Sequence, residues 1–253
     1  MFQGKITRLS FGIALTIVAL MWLVFFFDYY YKLGLYKWGI YPLSLKGLLG
    51  IITSPFIHST RDFTHILNNS LPAFVLSWML FYHYRTIAAR SFIFIYLFTG
   101  FCIWLFARES YHIGMSGVIY GLTSFLVTSG FIRRNMRVAA ISLVVVFLYG
   151  SMVWGIFPGR MGVSWEAHAF GLLSGILIAF YYRKTGPQPP KMIYEIEEEM
   201  GIEPEEEYWK APQEQSKKQI QPRITINYTI VPKKVEVEKE QHPPKKSDQK
   251  KDD

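Results

Sequence analysis

Apolar residues occur along this chain in long runs that are separated by short polar segments. A helix needs about 20 apolar residues to cross the hydrocarbon core of a bilayer. Six runs reach or approach that length, and each predicts a membrane-spanning helix: 10–30, 63–82, 91–107, 116–131, 138–157 and 167–182. The fourth and sixth runs are short, which indicates helices that begin below the membrane surface, with water reaching their ends.

Two segments at the front of the chain need a separate interpretation. The run 10–30 is longer than the apolar region of a signal peptide and has no small-residue cleavage site, so it predicts a retained transmembrane helix. The segment 31–62 is too apolar for a solvated loop, and Pro42 and Pro55 interrupt it too often for a span. It predicts an interfacial or partly membrane-embedded loop.

Composition agrees with a membrane domain and divides the chain in two. Hydrophobic residues make up 51% of the 253 positions, more than soluble domains usually combine with so little charge. Residues 1–184 hold 15 basic but only four acidic residues, whereas residues 185–253 hold 12 basic and 15 acidic ones. We therefore predict a membrane domain, 1–184, and a polar tail, 185–253. The alternating segment 223–231 has no second strand to pair with, so the tail is predicted to be mostly disordered, and its partner is unknown.

The basic residues also predict orientation. Nine of the 15 in residues 1–184 fall on the same side as the two ends of that domain, and six fall on the other. The positive-inside rule then predicts a multi-pass protein of the plasma or inner membrane with both termini in the cytoplasm. Because the charges lie between apolar runs rather than on one continuous face, they indicate a lipid bilayer as partner and no nucleic acid.

In this topology the second, fourth and sixth helices begin at similar depth on the outer side, and unusual polar groups lie at those beginnings. Ser116 opens the fourth helix between Gly114 and Gly117, which let a second helix or a substrate backbone approach closely. The alternative is a small-residue face that serves packing only.

The sixth helix carries an ionisable side chain on a glycine face. His168, Gly171 and Gly175 follow the spacing i, i+3, i+7, so they share one face that can lie close against the fourth helix. A histidine within a membrane helix is costly and indicates function. The alternatives are a histidine merely hydrogen-bonded to a neighbour and a lone metal ligand.

Two hydrogen-bond donors share a face of the second helix. His65 and Asn69 are four residues apart, and both suit a site that stabilises a developing oxyanion. A polar contact between helices is the alternative. Asn68 is a possible donor instead, but it lies about 100° further round the helix.

Together these motifs resemble the rhomboid family of intramembrane serine proteases. The matching pieces are His-x-x-x-Asn at His65 and Asn69, Gly-x-Ser-Gly at 114–117, and Ala-His-x-x-Gly-x-x-x-Gly at 167–175. Their order and their helix positions also match, over about residues 50–185. The resemblance implies an all-α bundle of six transmembrane helices and a serine–histidine dyad that hydrolyses transmembrane segments of other membrane proteins, without a cofactor or a metal.

The resemblance also implies a role for each matching residue. Ser116 is the expected nucleophile and His168 its general base, which should place the two side chains about 2.6–3.2 Å apart. The other implied roles are an oxyanion site and a set of supporting residues: His65, Asn69 and the Ser116 backbone N–H for the oxyanion; Gly114, Gly117, Tyr120, Gly171 and Gly175 for support, with Tyr120 stacked on the histidine.

A third, acidic member of the site is hard to find. Glu166 lies two residues before His168 and so on roughly the opposite side of the helix, which favours a dyad over a triad. His58, which also precedes the second helix, has no assigned role because its spacing from His65 departs from the commonest family form.

Two other functions compete with proteolysis. A rhomboid-like pseudoprotease would bind membrane-protein clients without cleaving them, but such relatives lack the serine or the histidine. A small transporter would show an internal repeat, and none is found. The sequence has no His-Glu-x-x-His, Cys-x-x-Cys or phosphate-binding glycine loop, so metalloprotease and nucleotide chemistry lack support.

Overall fold

A computed structural model of the chain describes residues 2–148, 155–158, 163–186 and 193–201. Those residues form helices and turns, with no strand among them and one isolated bridge between Ile40 and His112. The predicted all-α class is confirmed for this part of the chain. The chain divides into two units, Met1–Ile196 and Glu197–Asp253, and the helices that form the site described below belong to the first. The segment 223–231 and most of the predicted tail lie outside the described residues.

The helices of the described ranges are numbered here in chain order: α1 Phe2–Tyr31, α2 Leu45–Thr53, α3 Phe63–His83, α4 Ala88–Phe106, α5 Ser116–Ile132, α6 Met136–Leu148, α7 Trp165–Tyr181 and α8 Ile193–Glu199. Two 3₁₀ turns, Leu35–Trp38 and Ser54–Phe56, flank α2.

A helix lies in each of the six predicted spans, but four of these helices, α3 and α5 to α7, do not meet the length and hydropathy expected of a membrane span. By length and composition, Gly4–Tyr31 and Ala88–Phe106 are long and apolar enough to cross a membrane, while α5, α7 and most of α6 are apolar but shorter. The predicted fifth span does not continue as a helix to 157, because residues 155–158 form a turn. Gly155 and Pro158 both disfavour a continuing helix there.

The segment 31–62 is more ordered than the predicted loop, since it contains α2. Ser44 caps this helix by accepting a hydrogen bond from the Gly47 N–H at 3.0 Å. A Cβ on Gly47 or Gly50 would collide with the backbone of the preceding loop, so these glycines permit close packing rather than break the helix. Trp104 on α4 donates to the Ser44 carbonyl at 2.9 Å, which attaches the segment to α4.

Helix α5 lies at the centre of the packing, with most of its residues buried, and its largest contact is with α7. A Cβ on Gly171 would overlap the Gly117 carbonyl oxygen, and a Cβ on Gly175 would overlap the Gly121 oxygen. The two helices therefore touch backbone to backbone along a line that we call the glycine seam, comprising Gly117, Gly121, Gly171 and Gly175. This close approach is the one that the small-residue spacing predicts.

At the far end of the same pair, Arg133 follows α5 and is buried. Its guanidinium donates to the carbonyls of Tyr182 at 2.6 Å and Thr185 at 2.7 Å, just after the end of α7. The last carbonyls of a helix lack partners within it, and a cation there is favoured by the helix dipole. Arg133 thus joins the ends of α5 and α7, and the glycine seam joins their beginnings.

Candidate active site

The candidate nucleophile lies at the start of α5. Ser116 is the first residue of this helix, and Gly114 two residues earlier has a φ of +105°, a conformation that side chains other than glycine rarely adopt. The Ser116 Oγ lies 2.9 Å from Nε2 of His168 in the first turn of α7. The expected contact between these two side chains is therefore present.

The contact made by Nδ1 of His168 determines which of the two ring nitrogens carries the hydrogen. Nδ1 lies 2.8 Å from the carbonyl oxygen of Gly155. A carbonyl can only accept, so Nδ1 carries the hydrogen and donates it, and Nε2 presents its lone pair to the Ser116 hydroxyl. A backbone carbonyl thus holds the imidazole in the tautomer that a general base requires, which is the task of the aspartate in a triad.

The sequence does not predict Gly155 at this site, because the position falls inside the predicted fifth helix. A Cβ at this position would lie 2.7 Å from His168 Nδ1 and 2.5 Å from the Tyr120 hydroxyl, so a side chain would displace both groups. Nothing in the local sequence signals this role, because the contributing atom is a main-chain oxygen.

Tyr120 lies one turn after the serine on α5 and packs on the histidine ring. The two ring centroids are 4.1 Å apart and the planes differ by only 11°. The predicted stacking is therefore present, and it limits rotation of the imidazole about its side-chain bonds. Glu166, in contrast, forms an ion pair with Arg108 at 3.5 Å.

The loop before the serine faces the two polar side chains of α3. A Cβ on Gly114 would lie 2.7 Å from His65 Nε2 and 3.7 Å from Asn69 Nδ2. Asn69 is buried, whereas Asn68 is exposed. Among the described residues, the Asn69 amide nitrogen has no hydrogen-bond partner.

The protonation of His65 follows from its other contact. The Ser59 N–H lies 3.5 Å from Nδ1 of His65, and a backbone N–H can only donate. Neutral His65 then carries its hydrogen on Nε2, the nitrogen that faces Gly114. Two donors, from His65 and Asn69, thus lie beside the serine loop.

His58, whose spacing assigns it no role, is a buried neighbour of the site. Its Nδ1–H donates to the Phe56 carbonyl at 3.2 Å, and its Nε2 accepts from the Met115 N–H at 3.4 Å. Burial, together with the nearby His65, lowers the pKa of His58 to about 3, so the ring is neutral and can accept. The signal in the sequence was a second histidine just before α3.

Within the described ranges, no group of three or more histidine, cysteine, aspartate or glutamate side chains could hold a metal ion. The described part of the chain is an all-helical, largely apolar bundle in which a serine and a histidine on adjacent helices share a hydrogen bond. Residues 46–185 match the family model described as Rhomboid domain. The chain belongs to the rhomboid family, as its three motifs predicted, and is an integral membrane protein.

The chain is also similar to several proteins of known sequence. The chain is 34% identical over 181 residues to uncharacterized proteins of Mycobacterium bovis (strain ATCC BAA-935 / AF2122/97) and Mycobacterium tuberculosis (strain ATCC 25618 / H37Rv), an overlap of 66% of this chain and 72% of each relative. An uncharacterized protein of Mycobacterium leprae (strain TN) is 33% identical over 181 residues, which is 66% of this chain and 68% of the relative.

Proposed function

We propose that the protein is an intramembrane serine endopeptidase that cleaves transmembrane segments of other membrane proteins. The observation that carries this proposal is the hydrogen bond of 2.9 Å between Ser116 Oγ and His168 Nε2, with Nδ1 of the same ring bonded to a carbonyl. A hydroxyl beside an imidazole lone pair is the arrangement that activates a serine nucleophile.

In the proposed reaction, His168 accepts and donates the proton at each step. Nε2 of His168 takes the hydroxyl proton while the Ser116 oxygen attacks the carbonyl carbon of the scissile bond, and the imidazolium that forms keeps its Nδ1–H on the Gly155 oxygen. Nε2–H then protonates the leaving amine as the C–N bond breaks, which leaves an acyl-enzyme. A water molecule, deprotonated by His168, attacks the ester; the acid leaves and the proton returns to Ser116.

The oxyanion of the tetrahedral intermediate needs donors that already point towards it. Nε2–H of His65 and the Asn69 amide supply two, and the Ser116 N–H, at the start of α5 where no helical carbonyl is available, supplies a third. The Asn69 amide nitrogen has no partner within the described part of the chain, which supports this role, since a buried donor without a partner is costly unless a ligand uses it.

In the membrane, we propose that α1 and α3 to α7 form a six-helix bundle with both termini in the cytoplasm of a plasma or inner membrane, and that residues 185–253 form a separate polar tail. A substrate helix must unwind to expose a peptide bond, because its backbone groups are all paired within the helix. Helix-breaking and small residues near the cleaved bond are therefore expected.

The test is cleavage of a transmembrane reporter by purified protein in lipid vesicles. Ser116→Ala is expected to lower the rate by more than about 10³-fold, because no other group can replace the nucleophile. Ser142→Ala is a matched control, since Ser142 is also a buried helical serine but bonds only to the Val138 carbonyl of its own helix in the contacts described.

Two outcomes contradict the proposal. Cleavage by Ser116→Ala at the wild-type rate would remove the serine from the chemistry. A wild-type protein that binds a transmembrane client, but neither cleaves it nor reacts with a fluorophosphonate at Ser116, would support the client-binding pseudoprotease instead.

A further inference from the structure

Arg108, which follows the end of α4, is bonded to the segment that leads into α7. Its Nη2–H donates to the Val163 carbonyl at 2.6 Å, and its Nε lies 3.5 Å from Oε1 of Glu166. The arginine side chain is about half exposed, whereas the carboxylate is buried. Oε2 of Glu166 has no partner among the described residues, and within them Arg108 is the cation that lies beside this buried carboxylate.

His112 forms a second connection between the same two segments. Its Nε2 lies 3.0 Å from the Arg108 carbonyl, which can only accept, so the hydrogen is on Nε2 and Nδ1 accepts the Ser164 hydroxyl at 2.6 Å. Burial lowers the pKa of His112, in agreement with a neutral ring. The Ser164 oxygen in turn accepts the Ala167 N–H at 3.3 Å and so caps α7.

The first turn of α7 carries His168 and meets α5 through Ala167, whose carbonyl oxygen would lie 3.1 Å from a Cβ on Gly117. Gly171 is the first residue of α7 in the seam, one turn beyond His168. The position of the imidazole therefore depends on how the start of the helix is held. Arg108, Glu166, His112 and Ser164, which we call the α7 latch, supply contacts on the side of α4.

We propose that the α7 latch holds His168 in line with Ser116, and that Arg108 is a positioning residue for the reaction. This inference rests on the proposed protease function. It makes Arg108 a residue that affects the rate of proteolysis without belonging to the dyad or to the oxyanion donors. Without Arg108 the Glu166 carboxylate loses its cation and the Val163 carbonyl loses its donor, so the start of α7 shifts and the contact of 2.9 Å between Ser116 and His168 lengthens.

The experiment compares Arg108→Ala and Arg108→Lys with Arg61→Ala, in which another exposed arginine on the same predicted side is removed. The first readout is the rate constant for fluorophosphonate labelling of Ser116, which needs the dyad but no transmembrane substrate and is a property of each folded molecule. The second is kcat and KM for the reporter, and the third is hydrogen exchange of the backbone amides at 165–169.

Arg108→Ala is expected to lower the labelling rate and kcat by about tenfold, to leave KM within about twofold, and to speed exchange at 165–169. Arg108→Lys keeps a cation beside Glu166, but one ammonium group cannot contact both Glu166 and the Val163 carbonyl as the guanidinium does. Its labelling rate is therefore expected to lie between those of Arg108→Ala and wild type. Arg61→Ala is expected to match wild type.

A wild-type labelling rate in Arg108→Ala would overturn the inference, as would unchanged exchange at 165–169 or a fall in rate as large in Arg61→Ala. If Arg108→Ala does not fold, Glu166→Gln removes the ion pair while keeping the shape; a lower labelling rate there supports the latch, and an unchanged rate overturns it. If wild type neither labels nor cleaves, the proposed function fails, while the exchange comparison still decides whether the latch holds α7.

Discussion

Gly114→Ala tests whether the loop before the serine must leave room for His65. The change adds a single methyl group at a position with a φ of +105°, where its Cβ would lie 2.7 Å from His65 Nε2. Ordinary contacts begin near 3.4 Å, so the imidazole must move by about 0.7 Å. That ring is the far end of a flexible side chain, and it can move without disturbing the packing of α3.

The expected effects on stability and on activity therefore differ in size. The strained φ costs about 1–3 kcal/mol of folding free energy. If His65 is an oxyanion donor as proposed, displacing it by a large fraction of an ångström is expected to cost about 10²-fold in kcat, since a donor helps only when it already points at the developing charge. KM is expected to change little, because the interaction strengthens only in the transition state.

The assay is reporter cleavage in lipid vesicles, with thermal unfolding measured on the same preparations. Gly34→Ala is the matched control: Gly34 also has a positive φ, +65°, but a Cβ there meets only Tyr36 Cε1 at an ordinary 3.7 Å. If Gly114→Ala cleaves as fast as wild type, His65 does not act as a donor from its observed position. If Gly34→Ala loses as much activity, backbone strain rather than donor displacement explains the loss.

Two further predictions concern the aromatic and histidine neighbours of the dyad. Tyr120→Phe keeps the stacked ring and is expected to retain kcat within about threefold, whereas Tyr120→Ala is expected to lose about tenfold; equal rates for the two variants would show that stacking does not orient His168. Because burial lowers the pKa of His58 to about 3 from 6.5, the unfolded chain alone binds a proton between these values, so unfolding free energy falls as pH drops through this window. His58→Gln, unfolded in mild detergent at pH 4 to 5.5, is expected to reduce that slope by about 1.4 kcal/mol per pH unit, and an unchanged slope would contradict a buried neutral ring.

The sequence predicted those parts of the site that depend on which residues share one face of a helix. Spacings of three and four residues indicated that Gly171 and Gly175 share a face with His168, and that Asn69 rather than Asn68 shares a face with His65. The structure has both arrangements. Such spacings are local, so the residues that share a helix face can be predicted without knowing the tertiary fold.

The parts that the sequence did not predict depend on main-chain atoms or on distant pairs. The Gly155 carbonyl orients His168, and residue type says little about where a carbonyl points. The contact between His112 and Ser164 joins positions 52 residues apart. In the segment 31–62, Pro42 and Pro55 indicated a broken loop, but the two prolines lie on either side of α2 rather than within it.

If Ser116 and His168 react as proposed, the glycine seam makes folding and chemistry depend on the same few residues. At positions 171 and 175 even one added carbon would have to push α7 away from α5, and that movement would carry the imidazole away from the hydroxyl. Random change on the lipid-facing sides of these helices leaves that distance alone, whereas change along the seam acts on structure and turnover together. A variant library selected for folding alone would therefore return the same two glycines as one selected for activity.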